Sequence, residues 1–184
     1  MVRPSCKDLM LDAAEVLLTE QGAWRLTLDA VAERAQVSKG GLLYHFPTKD
    51  ALLQALVDRL LEKGKEKRLA RREAYGDGVE ALLRADVEGL LLDEERNPQL
   101  RAALVAALAN CPNLKAPILD FHKQRIADLE SMDVDQDEAN ILLLAADGLM
   151  LMESLSVSPF SDEQRRALVE AMLAMACRLA GARV

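Results

Sequence analysis

Residues 27–49 carry an ordered set of groups able to hold a phosphate or the edge of a base. The hydroxyl of Ser38 and the amides that follow it could meet a phosphate, and Lys39 could reach a phosphate oxygen or a guanine edge. Gly40 and Gly41 come next, and each costs about 1 kcal/mol relative to Ala inside a helix. Two consecutive glycines therefore indicate a need for close approach that outweighs helix propensity.

Two short predicted helices with a tight turn between them must position these groups. Thr27 can cap a helix over residues 28–35, and Ser38 can cap another that ends at His45. A helix-turn-helix needs a supporting helix, a turn, and a second helix whose first residues are small or polar enough to approach the major groove. The order of residues over 27–46 predicts this DNA-reading element.

Apolar residues at helical spacing continue through the rest of the chain, and strand signals are absent. A first helix is predicted over residues 7–21, ending at Gly22, and Thr48 caps a long fourth helix that reaches Glu73 unless Gly64 divides it. Five more helices are predicted over residues 79–93, 98–109, 116–131, 138–155 and 162–180. The sequence therefore predicts an all-α fold of about nine helices.

Composition limits the classes of protein to which the chain can belong. Its 184 residues are 51% hydrophobic and 29% charged, which is typical of a globular protein. Cys6, Cys111 and Cys177 lie far apart without metal-binding spacing, so we expect reduced thiols, no metal site and no cofactor. With only 2 histidines and no nucleophile–base pattern, we expect no catalytic residue and no enzyme.

Neither a signal peptide nor a membrane span is expected. Lys7, Asp8 and Asp12 interrupt the apolar N-terminal segment, and Asp147 separates the longest apolar runs. We therefore expect a cytoplasmic protein without a membrane partner, associated with the nucleoid when it is bound to DNA.

The distribution of charge gives little support to nucleic-acid binding by itself. The formal net charge is −7, and residues 1–50 hold six Lys/Arg against seven Asp/Glu. Glu66 lies within the basic run over residues 63–72, and Glu62 and Glu73 flank it, so a solvated helix face is favoured over a second DNA contact. A DNA-binding function must therefore rest on the motif.

The segment TLDAVAERAQVSKGGLLYHFPTKDAL resembles the DNA-binding signature of the tetracycline-repressor (TetR) family. The match covers about one seventh of the chain. The resemblance implies side chains that clamp phosphates, namely Thr27, Tyr44 and Lys49, and residues in or beside the groove, namely Lys39, Gly40, Leu42 and His45. Taken singly, Tyr44 could be a core aromatic and His45 a helix cap, but the ordered set favours DNA contacts.

Two positions depart from the family pattern. Gln36 stands where the turn often has Gly, and a non-Gly residue at positive φ costs about 1 kcal/mol. Leu43 stands where a tyrosine is frequent, which removes one phosphate or base contact. The departures bear on which operator is bound.

The last two predicted helices are apolar almost all round, unlike a surface helix of a monomer. Each is expected to bury one face in its own subunit and the other against a second copy. The expected homodimer interface comprises Ala145, Gly148, Leu151, Leu168, Met172 and Met175. A homodimer also suits a pseudo-palindromic operator, whose half-sites are related by two-fold symmetry.

The resemblance further implies a small-molecule effector held among helices four to eight. The predicted pocket residues are Leu82, Asp86, Leu104, Leu108, Phe121, Arg125 and Met150. Asp86, Asp147 and Glu153 lie in otherwise apolar stretches and need partners if they are buried. A cationic effector could supply the opposite charge, Arg84, Arg101 or Arg125 could supply it internally, and a position at the dimer rim would leave the carboxylates in water.

Two domains are predicted: a DNA-binding domain of residues 1–50 and an effector-binding and dimerisation domain of residues 51–184. The expected function is that of a sequence-specific transcription regulator, a repressor released from double-stranded operator DNA by an unidentified small molecule. The alternative is a helical interaction protein that retains a helix-turn-helix without binding an operator.

Overall fold

The computed structural model describes residues 5–22, 24–93, 97–108 and 111–181. These residues form nine α-helices, a short 3₁₀ turn at Pro112–Leu114 and no strand. The helices are α1 (Cys6–Gln21), α2 (Leu28–Arg34), α3 (Lys39–His45), α4 (Lys49–Tyr75), α5 (Val79–Leu91), α6 (Pro98–Leu108), α7 (Lys115–Glu130), α8 (Gln136–Ser154) and α9 (Asp162–Gly181). The all-α prediction is confirmed.

Side-chain caps set the beginnings of the N-terminal helices. The hydroxyls of Thr27, Ser38 and Thr48 each accept a hydrogen bond from the amide three residues further on, at 3.2, 3.1 and 3.0 Å. Such caps satisfy amides that have no partner within the helix. The starts of α2, α3 and α4 therefore lie where the sequence places them.

Helix α4 continues unbroken past Gly64. The helix-propensity cost of one glycine, about 1 kcal/mol, is small beside the cooperative gain of extending a helix that already exists. The alternative in which Gly64 divides this helix is therefore wrong.

The chain forms two compact units. Unit 1 comprises Met1–Leu60 and Asn97–Ile118, and unit 2 comprises Leu61–Arg96 and Leu119–Val184. In unit 1, α1 packs against α2 and α6, and α2 packs against α3. These are units of packing, and the division into a DNA-binding domain that ends at residue 50 and a second domain that follows it stays a prediction.

Unit 2 has its own apolar core. Helix α5 packs against α8 and α9, which also pack against each other. Leu83, Val87 and Leu129 are among the fully buried side chains at the centre of this cluster. None of the described helices is long and apolar enough to cross a membrane.

Two side chains of unit 1 have contrasting environments. Trp24, the single tryptophan of the chain, is 85% exposed. Cys111 is buried, and its thiol donates a hydrogen bond to Asp50 Oδ1 at 3.3 Å. Burial, together with this bond to a carboxylate, raises the pKa of Cys111, so the thiol stays protonated near neutral pH.

Candidate nucleic-acid interface

The turn between α2 and α3 has a defined backbone geometry. Gln36 adopts a φ of 56°, the left-handed conformation expected where the family pattern has glycine. The amide of Val37 donates to the carbonyl of Ala32 at 3.0 Å, which closes the end of α2. The chain therefore keeps the tight turn of a helix-turn-helix and accepts the strain at Gln36.

Helix α3 presents one polar face and buries the other. Ser38, Lys39 and His45 are exposed, and Tyr44 is 85% exposed, which rules out a core position for its ring. The rings of Tyr44 and His45 meet edge to face, with 5.2 Å between their centroids. The side chains on this face can donate to phosphates or to base edges.

The predicted role of the Leu42 side chain at the groove is wrong. The resemblance places this residue in or beside the groove, but its side chain is fully buried, as is that of Phe46 one turn later. Residues four apart lie on the same side of a helix, so Leu42 and Phe46 anchor α3 in the core of unit 1. Leu42 therefore orients the exposed face and does not contact DNA through its side chain.

The two glycines of α3 differ in their surroundings. A Cβ on Gly41 would lie 3.2 Å from Ser38 Oγ, so a side chain there would press on the helix cap. A Cβ on Gly40 would meet no atom within 4 Å. Packing within the protein thus accounts for Gly41, whereas it does not account for Gly40.

The other two predicted phosphate contacts lie at helix starts. Thr27 is exposed and uses its hydroxyl to cap α2, and Lys49 is a half-buried residue at the start of α4. Backbone amides at a helix start can bind an anion. Polar groups from the beginnings of three successive helices therefore belong to the candidate interface.

Exposed ion pairs connect neighbouring helices of unit 1. Lys39 Nζ lies 2.7 Å from Asp29 Oδ1, and the two side chains are 63% and 69% exposed. Arg34 makes two hydrogen bonds to the carboxylate of Glu20, at 3.1 and 3.3 Å. Asp29 was not among the predicted site residues, although opposite charges on either side of the turn were a signal that could have found it.

Unit 2 contains a charge network formed by the buried residues Arg68, Asp86 and Arg125 and the half-buried Asp147. Arg125 Nε donates to Asp86 Oδ1 at 3.0 Å, and Arg125 Nη1 donates to the two oxygens of Asp147 at 2.9 and 2.8 Å. Arg68 Nη1 donates to Asp86 Oδ1 at 3.4 Å. Burial raises the pKa of Asp86, and the guanidiniums of Arg125 and Arg68 oppose that rise.

An aromatic ring lies beside this network. The guanidinium carbons of Arg68 and Arg125 are 5.6 and 5.5 Å from the ring centroid of Phe121, which is cation–π distance. Arg125 Nη2 is buried and has no hydrogen-bond partner among the described residues. The cluster therefore retains one unsatisfied donor.

Internal arginines are the partners of the three carboxylates for which the sequence allowed several alternatives. Asp86 and Asp147 share Arg125, and Glu153 pairs with Arg165. Arg84, another predicted partner, pairs instead with Glu80 and Glu88. Arg68 is buried although it belongs to the basic run predicted to form a solvated face, so that prediction fails for this side chain.

Helix α8 has an apolar outer stripe, defined here as Ile141, Leu144, Gly148, Leu151 and Leu155. Leu144 is 70% exposed and Ile141 58% exposed, and Leu151 and Leu155 are also exposed. The spacing of three and four residues along the stripe is that of a helix–helix seam. Monomers rarely leave so many large aliphatic side chains in water.

Two family models match the chain. Residues 10–56 match the model described as bacterial regulatory proteins, tetR family, and residues 80–177 match the tetracyclin repressor-like C-terminal domain. The chain belongs to the TetR family. It is a DNA-binding transcription regulator.

Relatives and solved structures agree with this assignment to TetR. The transcriptional regulator UidR of Escherichia coli (strain K12) is 28% identical over 156 residues, which cover 73% of this chain and 74% of UidR. A transcriptional regulator from Rhodococcus sp. Rha1 has a TM-score of 0.75 at 24% identity, covering 98% of this chain and 99% of that one. The multidrug binding protein EbrR, solved with imidazole, has a TM-score of 0.66 at 25% identity, covering 92% and 96%.

The predicted effector residues of this TetR protein are divided between the units. Leu104 and Leu108 lie on α6 in unit 1, whereas the unit 2 residues are Leu82, Asp86, Phe121, Arg125 and Met150. Among those of unit 2, Asp86, Arg125 and Phe121 belong to one cluster. Leu82 belongs to the apolar core of unit 2, and Met150 is partly buried against that core. The pocket itself stays a prediction.

The predicted dimer residues of this TetR protein also fall into two groups. Ala145 and Leu151 are exposed on α8, and Gly148 is half-buried there. Leu168, Met172 and Met175 of α9 are partly buried against the core of their own unit. Ile141, Leu144 and Leu155, which are exposed in the same stripe, were not among the predicted interface residues, although their spacing was available in the sequence.

Proposed function

We propose that the protein is a homodimeric repressor that binds a pseudo-palindromic operator and is released by a small-molecule effector. The observation that carries the DNA-binding part is the exposed face of α3, where Gly40 has open space around it and lies between Lys39 and Tyr44. A recognition helix needs such small and polar residues at its start to approach a major groove.

The proposed contacts divide into positioning and sequence recognition. Thr27, Tyr44 and Lys49 hold phosphates, as do the Ser38 hydroxyl and the first amides of α3, and these contacts fix the register on the duplex. Lys39 donates to guanine O6 or N7, and His45 lies beside the groove. Residues 1–50 act as the DNA-binding domain and residues 51–184 as the effector-binding and dimerisation domain of a protein that acts in the bacterial cytoplasm.

A second copy is the proposed occupant of the α8 outer stripe. Burial of a large aliphatic side chain contributes roughly 1.5–3 kcal/mol, and the stripe offers four. Ala145 and Gly148 allow close approach of the partner helix, and the exposed Ala167, Ala171 and Ala174 extend a small-residue surface on α9. A two-fold interface would use the same surface on both subunits.

The proposed effector is an uncharged or anionic molecule that offers a hydrogen-bond acceptor. EbrR is described in complexes with imidazole, ethidium and malachite green, which supports a small-molecule site in this fold. In unit 2, however, the carboxylates of Asp86 and Asp147 already have Arg125 as a partner. The unsatisfied donor at Arg125 Nη2 favours an acceptor.

Release requires that the effector bind the free protein more tightly than the operator-bound protein. A typical coupling free energy is about 1–3 kcal/mol, which shifts operator affinity by roughly 5- to 150-fold. The conformation favoured by the effector would hold the two α3 helices of the dimer at a separation that no longer fits successive major grooves.

The experiment that tests operator binding is selection of fragments from the protein's own genome by the purified protein at two salt concentrations. We expect a two-fold-symmetric site to be enriched, weakened by Lys39→Ala and to a lesser degree by Tyr44→Phe. Lys65→Ala is the matched control, because Lys65 is an exposed lysine outside the predicted contacts. A folded dimer that enriches no fragment at either salt would support the interaction-protein alternative.

Effector chemistry is tested by release from that selected operator with a panel of neutral, anionic and cationic aromatic compounds. We expect the neutral or anionic members to release the protein. Release by cationic compounds alone would contradict the proposed role of Arg125.

A further inference from the structure

The ion pair between Lys39 and Asp29 connects the beginnings of the two helix-turn-helix helices. Asp29 is the second residue of α2 and Lys39 is the first residue of α3. The ammonium and the carboxylate are 2.7 Å apart, and both side chains are largely exposed. The acid therefore lies directly beside the side chain proposed to recognise a base.

Folding gives little reason for this arrangement. An exposed ion pair contributes little to stability because water competes for both partners. An acid in the first turn of α2 is favourable for the helix dipole, but that benefit does not require contact with Lys39. A carboxylate at a DNA interface also repels phosphates, so the pair opposes sequence-independent binding.

We propose that Asp29 is a specificity-determining residue that acts by positioning Lys39. This inference rests on the proposed operator binding and identifies how that same interface separates operator from other DNA. Asp29 neutralises the ammonium, so Lys39 adds little to the general attraction of the protein for the phosphate backbone.

The chemistry of the two acceptors explains the discrimination. An ammonium has three donors, so Lys39 can keep its bond to Asp29 while it donates to guanine O6 or N7. These base atoms carry no formal charge and can approach the pair without strong repulsion. A phosphate oxygen that approaches the same ammonium meets the carboxylate of Asp29, and like charges repel.

The test is a double-mutant cycle on DNA affinity. Wild-type protein, Asp29→Asn, Lys39→Gln and the double variant are titrated with the operator selected by the wild-type protein and with a scrambled duplex of equal length, over a series of salt concentrations. We expect Asp29→Asn to raise affinity for the scrambled duplex several-fold and to steepen its log K against log salt slope by about 0.9, the value for one additional phosphate contact. The ratio of operator to scrambled affinity should fall about tenfold.

The Lys39→Gln background separates positioning from bulk charge. In that background Asp29→Asn should change the affinity ratio and the salt slope much less than it does in the wild-type background, because the ammonium that Asp29 positions is absent and only the direct repulsion between the carboxylate and the phosphates is relieved. An equal effect of Asp29→Asn with and without Lys39 would overturn the proposal.

Glu20→Gln is the matched control. It removes the same charge and also breaks an exposed ion pair of unit 1, that with Arg34, outside the proposed contacts. We expect it to leave the affinity ratio at the wild-type value, with circular dichroism melts showing that every variant is folded. An Asp29→Asn variant with the wild-type ratio and slope, or a Glu20→Gln variant with the same loss of discrimination, would overturn the role of Asp29.

Different results would contradict the proposed operator binding and the proposed role of Asp29. If the wild-type protein selects no operator, the proposed function fails, and the slope on the scrambled duplex still decides whether Asp29 restrains Lys39. If the wild-type protein discriminates and Asp29→Asn discriminates equally well, only the role of Asp29 fails.

Discussion

The region around the helix-turn-helix of unit 1 and the region of α5, α7 and α8 in unit 2 differ in how they place charged and apolar side chains. In unit 1, the pairs Lys39–Asp29 and Arg34–Glu20 lie on the surface. In unit 2, Arg125 and Asp86 are almost completely buried, and aliphatic side chains such as Leu144 point into water. An exposed ion pair leaves the remaining donors of its cation accessible to a bound duplex, whereas a buried pair does not. The surface of each unit therefore suits a different partner, nucleic acid for unit 1 and a second protein chain for unit 2.

The largest expected effect is on the buried network. Arg125→Met should lower the free energy of unfolding by about 3–5 kcal/mol, because the buried Asp86 is left with Arg68 at 3.4 Å as its arginine partner and the half-buried Asp147 loses its arginine. Urea unfolding followed by circular dichroism measures the change. Arg34→Met, the same substitution in an exposed pair of unit 1, should cost no more than about 1 kcal/mol. Equal losses in the two variants would remove the distinction between the units.

A smaller effect is expected at the outer stripe of α8. Leu144→Asp should raise the dissociation constant of the homodimer by roughly 10- to 100-fold, because a side chain worth about 1.5–3 kcal/mol on burial is replaced by a charge. Sedimentation velocity over a concentration series measures it. Leu119→Asp is the control, since Leu119 is an exposed leucine on α7, outside the stripe. Loss of association in the control alone would move the interface away from α8.

The smallest expected effect concerns backbone strain, which the units share. Gln36 in unit 1 and Ser156 in unit 2 both have a φ of 56°. Replacing either by Gly should raise the free energy of unfolding by up to about 1 kcal/mol, because glycine adopts this conformation without a Cβ clash. Ala35→Gly, at a φ of −74° in the same turn as Gln36, should instead destabilise. Thermal melts that rank Gln36→Gly below the wild-type protein would contradict the assignment of strain.

Local features of the fold could be predicted from the sequence, and distant pairings could not. Caps at Thr27, Ser38 and Thr48 act within three residues, so their chemistry is visible in a short window. The partners of Asp86 lie 18 residues before it and 39 residues after it along the chain. No local pattern indicates which arginine will pair with that carboxylate.

The direction of side chains was the second feature that could not be predicted from the sequence. A motif match gives the position of Leu42 in α3 but not its burial, which depends on packing within unit 1. Helices α8 and α9 are apolar on nearly every side, so the pattern does not separate the face of Leu144, which is exposed, from that of Met172, which packs on its own core. Only the fold distinguishes them.

The exposure of Trp24 determines what intrinsic fluorescence can reveal about this protein. Its indole is the only one in the chain and is already largely surrounded by water in the folded state. Unfolding therefore changes the polarity around the fluorophore very little, and the emission maximum should barely move while helicity is lost. The same indole is an almost background-free reporter of any molecule that covers it, since its spectrum can only shift towards that of a less polar environment.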